Sequence, residues 1–271
     1  MSKTRLDVRL VEEGYFESRE KAKGAIMAGI ILVDGQRVDK AGTLIKDTSM
    51  VEMKGNGLKY VSRGGLKLEK AIEAYGLDLT GKRCMDIGAS TGGFTDCMLQ
   101  NGAALVYAVD VGYGQLDWKL RSDERVVNME RTNARHLTLE SVDNMPVDFI
   151  SVDVAFISLK LIFPVMTALL STRGETVYLI KPQFEAGRES VGKHGVVRDP
   201  AIHEQVLRSV VSEAEKMGLY TVKLTYSPIK GPKGNVEFLC YASRDENRED
   251  LLKVDDHYIS NLVKETHQTL G

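Results

Sequence analysis

The stretch Arg83-Cys84-Met85-Asp86-Ile87-Gly88-Ala89-Ser90-Thr91-Gly92-Gly93-Phe94-Thr95-Asp96-Cys97 constrains the fold of this chain more than any other. A short apolar run holds a buried acid, breaks into a glycine-rich turn and resumes as a helix. Strand, tight turn and helix in that order open a βαβ unit. The pattern then repeats. Strands near 83–87, 104–109, 124–128, 147–152 and 175–181 alternate with helical stretches near 93–101, 114–121, 158–170 and 201–217. Such alternation predicts a doubly wound α/β fold, a Rossmann-like parallel sheet covered on both faces. A helix from Leu66 to Tyr75 stops at Gly76 before the first strand, and residues 248–269 read as a closing helix. The last two strands, 219–226 and 236–242, are joined by residues 227–235, too irregular for a crossover helix. Neighbouring strands without a crossover are antiparallel.

Upstream the pattern is different and smaller. Residues 5–14 read as a short amphipathic helix stopped at Gly14, and Ser18 caps a second helix running to about Gly29. Ile30-Ile31-Leu32-Val33, an Asp34-Gly35 turn and Gln36-Arg37-Val38 form a hairpin signal. Leu44 to Met53 supplies one more strand. Two glycines within Lys54-Gly55-Asn56-Gly57-Leu58-Lys59 suit a linker. The expected organisation is a small α+β domain over 1–58, a linker over 59–64 and the α/β domain over 65–271. A length of 271 residues accommodates both.

The net charge of -2 carries no global nucleic-acid signal. A local one must come from the N-terminal segment. Its Arg5-Leu6-Asp7, Ser18-Arg19-Glu20-Lys21-Ala22, Ile26, Gly29, Val33-Asp34-Gly35 and Val38 resemble the S4 RNA-binding domain. That resemblance implies that basic side chains of the second helix meet the phosphates of structured RNA. The candidates are Arg5, Arg19, Lys21, Lys23 and Arg37, with Arg63 in the linker.

The glycine turn admits two chemistries. Gly88-Ala89-Ser90-Thr91-Gly92 fits the nucleophile elbow of an α/β hydrolase, with Ser90 as nucleophile and His136, His194 or His203 as base. The strand before it is the first of its sheet, no oxyanion glycine cluster precedes it, and Asp86 has no use there. A loop that cradles S-adenosylmethionine explains more. Gly88, Ser90, Gly92 and Gly93 let backbone approach the cofactor, and the helix starting at Phe94 turns its free N–H groups toward the methionine carboxylate. Asp86 helps hold the amino group. Asp110, closing the next strand, accepts from both ribose hydroxyls, and Asn133 meets the adenine edge.

Four more residues stand out. Asp153 and Lys181 end apolar strand runs, Glu237 opens the final strand, and Lys67 lies on the helix before the sheet. Burying a lysine at such a strand end requires answering carboxylates, and the alternative is that the two strand-end charges simply reach solvent. The chain resembles the TlyA family of haemolysin-named proteins and ribosomal RNA 2′-O-methyltransferases, an S4 domain fused to an FtsJ-like domain. The resemblance rests on Tyr60-Val61-Ser62-Arg63-Gly64-Gly65-Leu66-Lys67-Leu68, the glycine loop, Asp153-Val154-Ala155-Phe156-Ile157-Ser158-Leu159, Ile180-Lys181-Pro182-Gln183-Phe184-Glu185 and Gly234-Asn235-Val236-Glu237-Phe238. It implies a class I methyltransferase with a Lys67–Asp153–Lys181–Glu237 catalytic tetrad, S-adenosylmethionine as cofactor and ribosomal RNA or ribosomal subunits as partner. Lys181 would contact the ribose hydroxyl, as base if burial and Lys67 favour its neutral form, with Asp153 and Glu237 balancing the lysines.

Cys84, Cys97 and Cys240 show no metal-ligand spacing, no metal is expected, and a reducing compartment suits them. There is no membrane-length apolar run and no signal-peptide core, so a cytoplasmic protein is expected. Two other classes stay open at this level: a membrane-active haemolysin, and an RNA-binding protein whose methyltransferase-like domain is inert.

Overall fold

The computed structural model describes residues 3–16, 18–27, 29–53, 59–192, 194–231 and 234–270. The expected linker segment 54–58 lies outside them. The chain divides into two compact units, Met1–Lys59 with Ile229–Gly234, and Tyr60–Pro228 with Asn235–Gly271.

In the first unit, β1 (Lys3–Arg5) leads into α1 (Leu6–Glu12) and α2 (Arg19–Met27), with Ser18 accepting from the Lys21 N–H at the start of α2. Leu6, Leu10, Ala22 and Ile26 turn inward from the two helices and are buried together with Ile31 and Ile45. Strands β2 (Ile31–Val33) and β3 (Gln36–Arg37) form the expected hairpin. Asp34 and Gly35 both have positive φ, 51° and 76°, the geometry a two-residue turn needs to match the twist of its strands. The single strand expected over 44–53 is two. Its first half, β4 (Leu44–Lys46), pairs with β1, while β5 (Val51–Met53) pairs with β2. Between them the chain turns, with Ser49 N–H donating to the Lys46 carbonyl and Met50 N–H to the Asp34 carboxylate. Alternation along one segment does not reveal that its ends have different partners.

The second unit starts with α3 (Gly65–Tyr75), which Gly76 closes in the left-handed conformation. Then come β6 (Arg83–Ile87), α4 (Gly93–Gln100), β7 (Leu105–Val109), α5 (Trp118–Arg121), β8 (Val126–Met129), β9 (Val147–Val152), α6 (Phe163–Leu169), β10 (Leu170–Ile180), α7 (Pro182–Glu185), α8 (Pro200–Lys216), β11 (Tyr220–Tyr226), β12 (Phe238–Ser243) and α9 (Asp256–Leu270). The seven strands lie in the order β11-β12-β10-β9-β6-β7-β8. The five from β10 to β8 are parallel, and β12 runs antiparallel to both β10 and β11. Side chains of β6 alternate between two cores. Met85 and Ile87 join the core with α6, α8 and α9, while Cys84 joins that with α3 and α4.

Several boundaries move, each for a local reason. Only 118–121 of the expected 114–121 is α-helical, because the Glu130 carboxylate collects the N–H groups of Gly114, Gln115 and Leu116 and holds them as a loop. The closing helix begins at Asp256. Upstream of it, Arg248 is engaged by Glu175 and Asp250. The stretch 60–64, expected as linker, belongs to the α/β unit. Tyr60 is buried with its hydroxyl on Glu69, and the Val61 N–H donates to Asp96.

The chain runs from β6 outward to β8 and then returns to β9 on the other side of β6. That reversal opens a crevice at the carboxyl ends of β6 and β9. Two residues shape its floor. Gly88 has φ +90°, and a Cβ there would lie 2.5 Å from the Asp153 carbonyl oxygen. Asp86 is fully buried and accepts from the Thr95 N–H and hydroxyl and from the Ser151 hydroxyl. Burial pushes its carboxyl up to about 7, the hydrogen bonds offsetting only part of the effect.

Gly88→Ala is expected to cost about 1–3 kcal/mol of backbone strain. Calorimetry of the purified variant should show this as a loss of about 2–4 °C in melting temperature per kcal/mol. Asp86 gives a pH signature. A carboxyl raised above its unfolded value of about 3.9 holds its proton more tightly when folded, so its contribution to stability falls as pH climbs from about 4 and is lost through about 7. Asp86→Asn keeps an acceptor for Thr95 without the charge. Its melting temperature should therefore rise relative to wild type across that interval and level off above it.

Candidate active site

The glycine loop is built from backbone that only small residues tolerate. Gly92 has φ +95°, with the methyl groups of Leu116 and Leu120 where its Cβ would be, and a Cβ on Gly93 would meet the Ser62 hydroxyl at 2.3 Å. Ser90, exposed at the loop tip, takes φ +49°. Gly92 offers α4 no side-chain cap and Asp86 takes only the Thr95 N–H, so the Gly93 and Phe94 N–H groups retain donor capacity for an anion. Asp110 ties this loop to the end of β7, its carboxylate accepting from the Ser90 N–H at 2.8 Å and the Gly112 N–H at 2.7 Å. It remains partly exposed. Asn133, also partly exposed, caps a short 3-10 turn over Ala134–His136 through its carbonyl oxygen, which leaves its amide N–H groups for another acceptor.

Asp86 and Phe94 both have buried side chains. Asp86 is fully buried and bonded to Thr95 and Ser151, which braces the start of α4. Phe94 is buried among the side chains of α3 and α4, so only its backbone belongs to the loop. His203, one of the bases a Ser90 nucleophile would need, is buried against His267 at 3.0 Å and the Val197 carbonyl at 3.2 Å.

Lys67, Asp153, Lys181 and Glu237 come together for a topological reason. Strands β9 and β10 are parallel neighbours, so Asp153 and Lys181, each one residue past its strand, emerge side by side. Strand β12 runs the other way, pairing Phe238 with Ile180, which puts Glu237 beside Lys181 in sequence register. Helix α3 crosses β12 with Tyr75 stacked on Tyr241, ring centroids 5.6 Å apart. Lys67, about two turns earlier on α3, thereby reaches Glu237.

The four side chains form one chain of charge. Lys67 Nζ lies 2.6 Å from Glu237 Oε2 and 3.4 Å from Asp153 Oδ2, and Lys181 Nζ is ion-paired with the other oxygen of Asp153. All four are largely or wholly buried, Glu237 completely. Burial pulls the pKa of Lys67 down, but the Asp153 and Glu237 carboxylates overcome this and raise it. Burial likewise pushes Asp153 up, and the two lysines outweigh it and hold the carboxyl below its ordinary value. The second oxygen of Glu237 is buried with no hydrogen-bond partner among the described residues.

Beside this chain stands a residue that sequence reasoning missed. Phe156, three residues after Asp153, is 91% exposed with φ +64°, and its ring lies 5.1 Å from that of Phe184, three residues after Lys181. Both fall within motifs already noted, but only their charged members had drawn attention.

In the first unit, the Arg5 guanidinium donates twice to Asp7, at 2.9 and 3.1 Å, and Arg19 donates to the same carboxylate at 2.8 Å. Asp7 is fully buried, yet the two arginines hold its carboxyl well below the usual range. Both arginines remain about half exposed. Lys21 and Arg37 are exposed, while Lys23 is partly buried and lies 3.9 Å from Glu20. Arg63 belongs to the second unit and is partly buried.

Comparison with known proteins agrees with this geometry. Residues 60–244 match the FtsJ-like methyltransferase family, and residues 4–51 match the S4 domain. A protein of Bacillus subtilis named "Putative rRNA methyltransferase YqxC" is 52% identical over 99% of this chain and 95% of its own. The "16S/23S rRNA (cytidine-2'-O)-methyltransferase TlyA" of Mycobacterium tuberculosis is 42% identical over 91% of this chain and 92% of its own. A solved structure titled "Putative hemolysin from Streptococcus thermophilus" is 46% identical, covers 99% of this chain and 97% of its own, and superposes with a TM-score of 0.80. No helix among the described residues is long and apolar enough to cross a membrane. With an S4 domain, an FtsJ-like methyltransferase domain and relatives of this similarity along nearly its whole length, the chain belongs to the TlyA family.

Proposed function

We propose that this protein transfers a methyl group from S-adenosylmethionine to a ribose 2′-hydroxyl of ribosomal RNA, with the S4 domain docking the RNA. The observation that carries the reading is the Lys67–Asp153–Lys181–Glu237 chain at the carboxyl edge of the sheet, on the same crevice as the glycine cradle. The name of the M. tuberculosis relative points to cytidine as the nucleoside and to the RNAs of both subunits.

The cradle fits the cofactor. Gly88, Gly92 and Gly93 leave room for close backbone approach, Asp110 keeps acceptor capacity for the ribose hydroxyls, and Asn133 offers amide donors to the adenine edge. When bound, S-adenosylmethionine supplies a methyl already activated on its sulfonium. What the chain must add is a nucleophile, because a ribose hydroxyl is a poor one. Lys181 contacts that hydroxyl and orients it; once its own ammonium has released a proton to solvent, the neutral amine takes the hydroxyl proton as base, and the neighbouring Asp153 carboxylate stabilises the ammonium so restored. Lys67 neutralises Asp153 from the far side and is itself anchored by Glu237. The free oxygen of Glu237 is a further acceptor inside the site. Phe156 presents an aromatic face on which the target base can stack once it leaves its RNA neighbours.

The direct test is transfer of labelled methyl onto ribosomal RNA from cells lacking this gene, followed by mapping of 2′-O-methyl positions. No transfer to any ribosomal RNA would overturn the reading. Lys181→Ala should lower kcat by about 10²–10⁴-fold, the range of a lost general base, while calorimetry shows S-adenosylmethionine affinity within about twofold of wild type. Phe156→Ala should raise KM for RNA by roughly 5- to 150-fold, equivalent to about 1–3 kcal/mol of base stacking, without changing cofactor affinity.

A further inference from the structure

The two motifs that supply Asp153 and Lys181 continue past them, and methyl transfer as described makes no use of Ser158 or Glu185. The structure joins these two residues. Glu185, the last residue of α7, is half-buried, and its carboxylate accepts from the Ser158 hydroxyl at 2.7 Å and from the Leu159 N–H at 2.8 Å. One carboxylate thus bridges the segment leaving β9 and the turn leaving β10. The segment 153–159 is held at its other end as well, where the Asp153 N–H donates to the Ile87 carbonyl at 3.0 Å. Between these anchors Phe156 sits in the left-handed region, a conformation that a bulky residue keeps only when its surroundings over-determine it. On the other side, α7 begins directly after Lys181, and the Phe184 N–H returns to the Lys181 carbonyl, so a shift of Glu185 is transmitted to Lys181 through a single short turn.

We propose that Glu185 is a positioning residue that clasps the two segments, fixing the Asp153–Lys181 ion pair and the seat of Phe156 against Phe184. It touches no reacting atom and acts through the residues it holds. The inference rests on the methyl-transfer reading above, so its test includes a readout independent of activity.

The full chain would be compared with Glu185→Ala, Glu185→Gln and Ser158→Ala in methyl transfer to ribosomal RNA, and in hydrogen exchange at the Leu159 amide. Glutamine preserves the clasp without the charge, its carbonyl accepting from Leu159 and its amide donating to the Ser158 oxygen. Glu185→Ala should lower kcat by about 30- to 100-fold, the scale of a misplacement near 1 Å, with KM for S-adenosylmethionine within about threefold. Glu185→Gln should keep at least about a third of wild-type kcat, because the geometry survives. Full kcat in Glu185→Ala, or an equal loss in Glu185→Gln, would overturn the proposal. If Glu185→Ala does not fold, Ser158→Ala decides: a fall in kcat with unchanged cofactor KM supports the clasp and unaltered kcat refutes it. If wild type transfers no methyl at all, the reaction fails but the clasp is still tested. Leu159 exchange that is slow in wild type and Glu185→Gln and about tenfold or more faster in Glu185→Ala supports it, and equal exchange in all three refutes it.

Discussion

Asp153, shared between Lys67 and Lys181, is the interaction on which the α/β unit depends. Burying a charge is costly, and removing one member of a buried ion pair leaves its partner uncompensated at about 3–5 kcal/mol. Two cations and two anions are stacked here out of water, so each is tolerable only while the other three hold their places. That condition ties together four elements, α3, β9, β10 and β12, each of which delivers one charge at its end or first turn. A stability optimum would fill this space with apolar side chains. A chain of alternating charge in its place is what the proposed methyl transfer requires.

The reversal of β12 makes the arrangement possible. In a wholly parallel sheet, the residue preceding a strand lies at the opposite edge from the residues that follow its neighbours. Because β12 runs against β10, Glu237 lies at the same edge as Asp153 and Lys181, and the stacking of Tyr75 on Tyr241 brings α3 and Lys67 to it. The same edge holds the glycine cradle, since β6 and β9 adjoin at the reversal of strand order. One antiparallel strand therefore brings the four-charge chain and the glycine loop to one crevice.

What could be read from the chain beforehand follows from how local each signal is. The glycine loop, the Asp34-Gly35 turn and the alternation of strands and helices are written in consecutive residues, and they appear in the expected order with shifted boundaries. The four charged residues were legible through the motifs that carry the family resemblance, since a charge at the end of an apolar strand could equally reach solvent. Partnerships across the fold were not legible. The split of 44–53 depends on β1, and the late start of α9 follows the capture of Arg248 by Glu175. That Asp86 faces Thr95 and Ser151 was equally hidden, because an acid within a strand does not announce which face it takes. Phe156 was overlooked for a related reason, since a left-handed φ at a phenylalanine is imposed by anchors on either side and has no signature of its own.

The electrostatics also separate two tasks. The buried chain of Lys67, Asp153, Lys181 and Glu237 balances its own charge, so it contributes little long-range attraction for a polyanion, and the whole chain is weakly acidic with a net charge of -2. Under the proposed function RNA would be drawn in by local basic groups, among them Arg5 and Arg19, which both donate to Asp7. Asp7 fixes both guanidinium groups while leaving them about half exposed, so less side-chain freedom remains to be lost when they meet phosphates. Phosphate contacts of this kind weaken steeply with salt, whereas a desolvated and internally neutral catalytic chain is screened far less. Salt would thus act mainly on capture of the RNA, and the chemical step on bound RNA would be comparatively indifferent to it.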